Sequence, residues 1–100
     1  MHIISLKALQ TFWKKHPSAE APMRYWHTLV EQTKFRDFYH VRQVFGSADY
    51  VSPYTIFDVA GNHFRLITVI HYNPSKVFIR WVLTHKEYDE WNKQYRKGKV

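Results

Sequence analysis

A histidine and a tyrosine stand three residues apart in Thr84-His85-Lys86-Glu87-Tyr88, directly after a run rich in β-branched and aromatic residues. Thr followed three positions later by Glu is the capping-box pattern that opens a helix, so His85 falls in the first helical turn and Tyr88 one turn on. The amides of a helix N-terminus disfavour a cation, which should hold the His85 imidazole neutral and able to accept a proton. Tyr88 could serve there as acid, base or stacking partner, and it also belongs to an aromatic stripe with Trp91 and Tyr95. Two arginines, Arg65 and Arg80, lie in the preceding extended runs. A guanidinium suits a phosphate because its forked donors meet two oxygens at once. Together these are the groups that cleaving an RNA phosphodiester requires: a base for the 2′-hydroxyl, cations for the charge on phosphorus, and an acid for the departing 5′-oxygen.

Other chemistries have no foothold. The chain contains no cysteine, which excludes disulfides, thiolate catalysis and Cys-based zinc sites. No HExxH or close His/Asp cluster of metal-ligand spacing occurs, so no metal site or cofactor is expected. GxSxG, P-loop and GxGxxG patterns are also missing.

The 100 residues suffice for one domain, and 45% hydrophobic with 18% aromatic residues is a globular composition. Fifteen Lys+Arg against eight Asp+Glu give a net charge of +7, which favours a polyanionic partner, nucleic acid before membrane surface or acidic protein. No stretch approaches the roughly 20 apolar residues of a membrane span, and the opening Met1-His2-Ile3-Ile4-Ser5 is too short for a signal peptide. A cytoplasmic protein is expected.

The elements that must hold these residues divide into a helical first half and a strand-rich second half, an α+β pattern. After a short strand over 2–4, Ser5 caps a helix through Lys15, with Leu6, Leu9, Phe12 and Trp13 at helical spacing and Pro17 as the stop. Ser18 caps a second helix over about 19–33, and a third spans about 37–45 before Gly46. Residues 54–59, 63–71 and 76–83 read as three strands of an antiparallel meander, turning at Gly61-Asn62 and over 72–75. Hairpin register then pairs His71 with Lys76, Ile67 with Arg80, Arg65 with Val82 and Asp58 with Arg65. One face collects Phe57, Val59, Phe64, Leu66, Thr68, Ile70, Val77, Ile79, Trp81 and Leu83, as a helix-covered core should. The other collects His63, Arg65, Ile67, Val69, His71, Lys76, Phe78, Arg80, Val82 and Thr84. A concentration of cationic and titratable groups on one face suits a nucleic acid, with His63, His71, Lys76 and the terminal Lys93, Arg96 and Lys97 on the RNA backbone.

Several strings carry a resemblance: Met1-His2-Ile3-Ile4-Ser5, Phe12-Trp13 with His16-Pro17, Asn62-His63-Phe64-Arg65-Leu66, Phe78-Ile79-Arg80 and Thr84-His85-Lys86-Glu87-Tyr88-Asp89. In this order, along essentially the whole chain, they resemble the HigB family of type II toxins. The resemblance implies a single RelE-like domain over 1–100, helices packed on an antiparallel sheet with a short C-terminal helix. It implies metal-independent cleavage of mRNA in the ribosomal A site and neutralisation by a HigA-type helix-turn-helix antitoxin, through which operator DNA is reached. By position it implies catalytic roles for Arg65, Arg80, His85 and Tyr88. Leu83 departs from the glycine common before Thr-His in related chains and would alter the backbone turn that sets His85. The same basic face would also serve a non-catalytic RNA- or DNA-binding module, or a degenerate toxin that acts only through its partner. Salt-sensitive binding without cleavage products would mark either.

Overall fold

The two periodicities resolve into four helices and five strands in a computed structural model that describes residues 1–100. In chain order they are β1 (His2–Ile4), α1 (Leu6–Lys15), a 3-10 turn (Pro17–Ala19), α2 (Glu20–Gln32), α3 (Phe38–Val44), β2 (Asp49–Val51), β3 (Tyr54–Val59), β4 (Phe64–His71), β5 (Lys76–Thr84) and α4 (His85–Arg96). The sheet order is β1-β5-β4-β3-β2. The expected α+β, RelE-like arrangement holds, with two additions. β1 lies parallel to β5, which makes the sheet mixed, and β2 extends the meander beyond β3.

Local signals acted much as their chemistry dictates. Ser5 occupies the N-cap of α1 in extended conformation, though its side chain makes no capping bond. Asp37 caps α3 by accepting from the His40 amide. Ser18 does not cap α2: Pro17 starts a 3-10 turn instead, and the helix grows out of it from Glu20. α1 and α2 cover one face of the sheet, where Leu9, Met23, Trp26 and Val30 bury against Phe57, Leu66 and Val77.

Both expected turns form. The His63 amide donates to the Ala60 carbonyl around Gly61-Asn62, with Gly61 at φ 66°, and His71 pairs with Lys76 around the second turn. The register between β4 and β5 is as expected only as far as Thr68 opposite Ile79. A bulge follows, so Ile67 faces Trp81 rather than Arg80, and Arg65 faces Leu83 rather than Val82. Arg80 is the extra residue. One inserted residue exchanges the faces of everything beyond it: Val82 joins the helix-covered core, while Trp81 and Leu83 cross to the other side.

That other side is not the open polar face that the uninterrupted register implies. α4 lies on it, burying Trp91 against Ile56 and Ile67 with Tyr54, Trp81, Leu83, Tyr88 and Tyr95 packed around. Tyr88, Trp91 and Tyr95 stack in series along α4, at ring separations of 5.9 and 5.5 Å. Trp81 and Tyr54 meet Trp91 edge-on at 5.6 and 5.4 Å. Rings of this size each remove about 150–250 Å² from water, which explains why the strand bulges: without it Trp81 would turn away and this cluster would lose its floor. Tyr95 closes the far end by donating its hydroxyl to the Ser52 carbonyl at 2.8 Å.

Candidate active site

The start of α4 is held from two directions. The Thr84 hydroxyl accepts from the Glu87 amide at 3.2 Å while the Thr84 amide donates to the Glu87 carboxylate at 2.9 Å, a complete capping box. The His85 amide donates to the His63 carbonyl at 2.9 Å, which stitches the helix start to the β3–β4 turn. His85 thus projects from a fixed backbone. Its Nδ1 lies 3.4 Å from Asp89 Oδ2, one turn on, and both side chains are half exposed. With Nδ1 facing Asp89, Nε2 is the nitrogen left for another partner. Thr84→Ala should cost about 1 kcal/mol, read as a lower urea midpoint, with a larger fractional loss of any activity that depends on the position of His85.

Arg65 is buried, at 8% exposure. Its Nε donates to Asp58 at 2.9 Å, one terminal nitrogen donates to the carbonyls of Asn62 and Phe64 at 3.2 Å each, and the other donates to the Asn62 side chain. A single guanidinium N–H remains uncommitted. The planar group lies over the Tyr88 ring, 5.2 Å from its centroid, and Trp91 stacks on the other part of the assembly. Burial raises the Tyr88 pKa, and the carboxylates of Asp49, Asp58 and Asp89 add to this, while the Arg65 charge opposes it. The phenol is therefore a proton donor through the neutral range, which disfavours a role as base.

The remaining candidates are spread out. His63 sits exposed in the turn beside His85. Arg80 is exposed, makes no ion pair and leans on the Phe78 ring at 5.7 Å. It lines a cleft of about 570 Å³ between α1 and β5 which Glu87 also borders, so it approaches the α4 start from another side than Arg65 does. His71 and Lys76 face each other at the opposite end of the sheet. Lys93, Arg96 and Lys97 lie at the far end of α4, about 12–18 Å along its axis from His85. The fold therefore gathers His63, Arg65, His85 and Tyr88, and adds Asp58, Asn62 and Asp89. Asp89 was visible as the i+4 neighbour of His85, and Asp58 as the register partner of Arg65. No trio of His, Asp or Glu side chains is placed to hold a metal ion.

Comparison with known proteins bears on this arrangement. Residues 19–91 match the profile of the HigB_toxin family, described as the RelE-like toxic component of a toxin-antitoxin system. The mRNA interferase toxin HigB of Escherichia coli (strain K12) is 32% identical over 103 residues, covering 99% of each chain. The mRNA interferase HigB of Shigella flexneri shows the same identity and coverage. The mRNA interferase HigB of Escherichia coli O6:H1 is 28% identical over 102 residues, again 99% of each chain.

Proposed function

The chain belongs to the HigB family of RelE-like toxins, the toxic components of toxin-antitoxin systems, and on that premise we propose that it is an mRNA endoribonuclease working by acid–base chemistry around His85 and Tyr88. His85 Nε2 takes the proton of a 2′-hydroxyl. The freed oxygen attacks the adjacent phosphorus, the bond to the 5′-oxygen breaks, and Tyr88 supplies the proton that this oxygen needs. The products are a 2′,3′-cyclic phosphate and a 5′-hydroxyl. Arg80 and the one free N–H of Arg65 offset charge on the phosphate. His63 and, further out, His71, Lys76, Lys93, Arg96 and Lys97 hold RNA backbone.

The observation that carries this reading is the Arg65–Tyr88 stack one helical turn from His85. The finer reading places cleavage on mRNA in the ribosomal A site, without a metal ion, in the cytoplasm. Neutralisation then comes from a HigA-type helix-turn-helix antitoxin that carries the toxin to operator DNA. Mapping mRNA ends in a translating extract tests the chemistry. Cyclic-phosphate and 5′-hydroxyl ends, produced on translated and not on free mRNA, are expected. Ends bearing 5′-phosphate would sink the acid–base assignment, and no cleavage at all would favour a binding-only toxin.

Tyr88→Phe should lower cleavage by about 10²-fold, since the ring keeps its stack but loses its proton. It also has a stability signature. The folded-state pKa lies above the value of 10.0 for a free phenol. The stabilisation from the neutral phenol is thus complete below that pH and is lost as pH rises through the folded pKa. Wild type should therefore lose more stability than Tyr88→Phe as pH rises above 10.0, measured as the shift in urea midpoint.

A further inference from the structure

Helix α3 carries a ring that the fold does not use. Tyr39 is 71% exposed, while neighbouring rings have partners: Phe35 meets His40 at 5.2 Å and Phe38 meets Tyr50 at 5.7 Å. Three and four positions on, along the same helix face, stand Arg42 and Gln43, both exposed. With Phe38 and Gly46 these side chains line an open hollow of about 430 Å³. Gly46 leaves it room, since a Cβ placed there would meet no atom within 4 Å. The surrounding charge is positive: Lys34, Arg36 and Arg42 are exposed and make no ion pair. The segment from 34 to 50 holds two acids, and both carboxylates are engaged. Asp37 caps α3 through the His40 amide, and Asp49 accepts from the Tyr50 amide.

The hollow lies near the active-site end of the sheet. Gly46 precedes Asp49, the first residue of β2, by three positions, at most about 11 Å of chain. Asp49 opposes Ile56, which packs beneath Trp91, and two residues further along β3 Asp58 holds Arg65 under Tyr88. Crossing from β2 to β4 takes two strand spacings, about 10 Å. The Arg65–Tyr88 stack is therefore on the order of 20 Å from the hollow, a gap that a few nucleotides bridge.

Exposed tyrosine and arginine serve two classes of partner, another protein and single-stranded RNA. A protein hot spot seats its anchor in a packed, water-excluding surround. Here the Tyr39 ring stands in the open beside an arginine, a glutamine and a glycine. An RNA base asks for one accessible aromatic face, a cation for its phosphate and a polar group for its edge. Tyr39, Arg42 and Gln43 supply these three within about one turn of helix. We propose that the hollow on α3 takes an unpaired base of the mRNA strand flanking the cut, stacked on Tyr39, with Gln43 on the base edge and Arg42 on the phosphate. The proposal rests on the toxin reading and gives it a second grip on the same strand. That grip favours the sequences whose phosphodiester is then presented to His85.

The test maps cleavage ends across many translated mRNAs and measures binding of labelled oligoadenylate to the full-length chain. Tyr39→Ala should slow cleavage about tenfold and flatten the base preference at one position beside the cut, with an unchanged urea midpoint. Tyr39→Phe keeps the stacking ring and should cut like wild type. Gly46→Leu fills the hollow at a position where a Cβ meets no atom, and should reproduce the loss. Arg42→Gln should reduce the slope of log affinity for oligoadenylate against log salt by about 0.7. Undiminished cleavage in both Tyr39→Ala and Gly46→Leu would overturn the proposal, and weaker binding of the co-encoded protein would then mark a protein contact. An even loss over all sites, with weaker binding to ribosomes free of mRNA, would also overturn it and make the hollow a contact to ribosomal RNA. If wild type cuts no translated mRNA, the toxin reading fails and oligoadenylate decides alone. About tenfold weaker binding by Tyr39→Ala then supports the hollow, and equal or absent binding overturns it.

Discussion

Replacing His85 with alanine should lower mRNA cleavage in a translating extract by about 10²–10⁴-fold, with the thermal midpoint nearly unchanged. The two halves of this result have separate causes. The ring is about half exposed and belongs to neither apolar cluster, so its removal leaves no cavity. Its backbone bond to His63 survives the substitution, as does the capping box of Thr84 and Glu87. What disappears is a titratable ring at a fixed point beside the Tyr88 phenol. Asp89→Asn should give a smaller loss, because it keeps an acceptor near Nδ1 and changes only the charge that orients the ring. Cleavage by His85→Ala within about threefold of wild type would remove His85 from the chemistry, whatever Asp89 does.

The parts of the fold legible in the sequence are those decided by neighbours in the chain. Thr84 and Glu87 announce the start of α4 because both halves of the capping box are three residues apart. The turn at Gly61-Asn62 and the pairing of Asp58 with Arg65 follow from one turn and a period of two. β2 escaped because three largely exposed residues show no period. The bulge at Arg80 escaped for a different reason. A one-residue insertion leaves alternation intact on either side of it, and it is favoured here by a distant partner: Trp91 and Tyr54 need Trp81 beneath α4. The site inherits this division. His85 and Tyr88 are placed by local helix signals. Whether Arg65 is open to a phosphate or buried under a helix depends on where α4 lands, which no local pattern states. The same docking uses Leu83 as packing for α4, so the departure from glycine before Thr84 has a structural use.

Arg65→Ala should cost about 3–5 kcal/mol, the largest stability loss of any change in the candidate site. It removes a buried guanidinium and leaves the Asp58 carboxylate, 29% exposed, facing an empty space beneath Tyr88. For a domain of this size the thermal midpoint should fall by roughly 15 °C or more. Arg65→Lys should recover only part of this, because one ammonium cannot bridge Asp58, Asn62 and the Phe64 carbonyl as the fork does. Lost activity in either variant would not by itself distinguish a missing phosphate contact from a displaced Tyr88. The pair Arg65→Met/Asp58→Leu can, since exchanging both partners of a buried ion pair for apolar groups is often close to neutral in stability. If the midpoint and the cleavage rate return together, Arg65 acts through Tyr88, as a positioning residue. If the midpoint returns and cleavage stays low, the last uncommitted N–H of the guanidinium is what the phosphate meets.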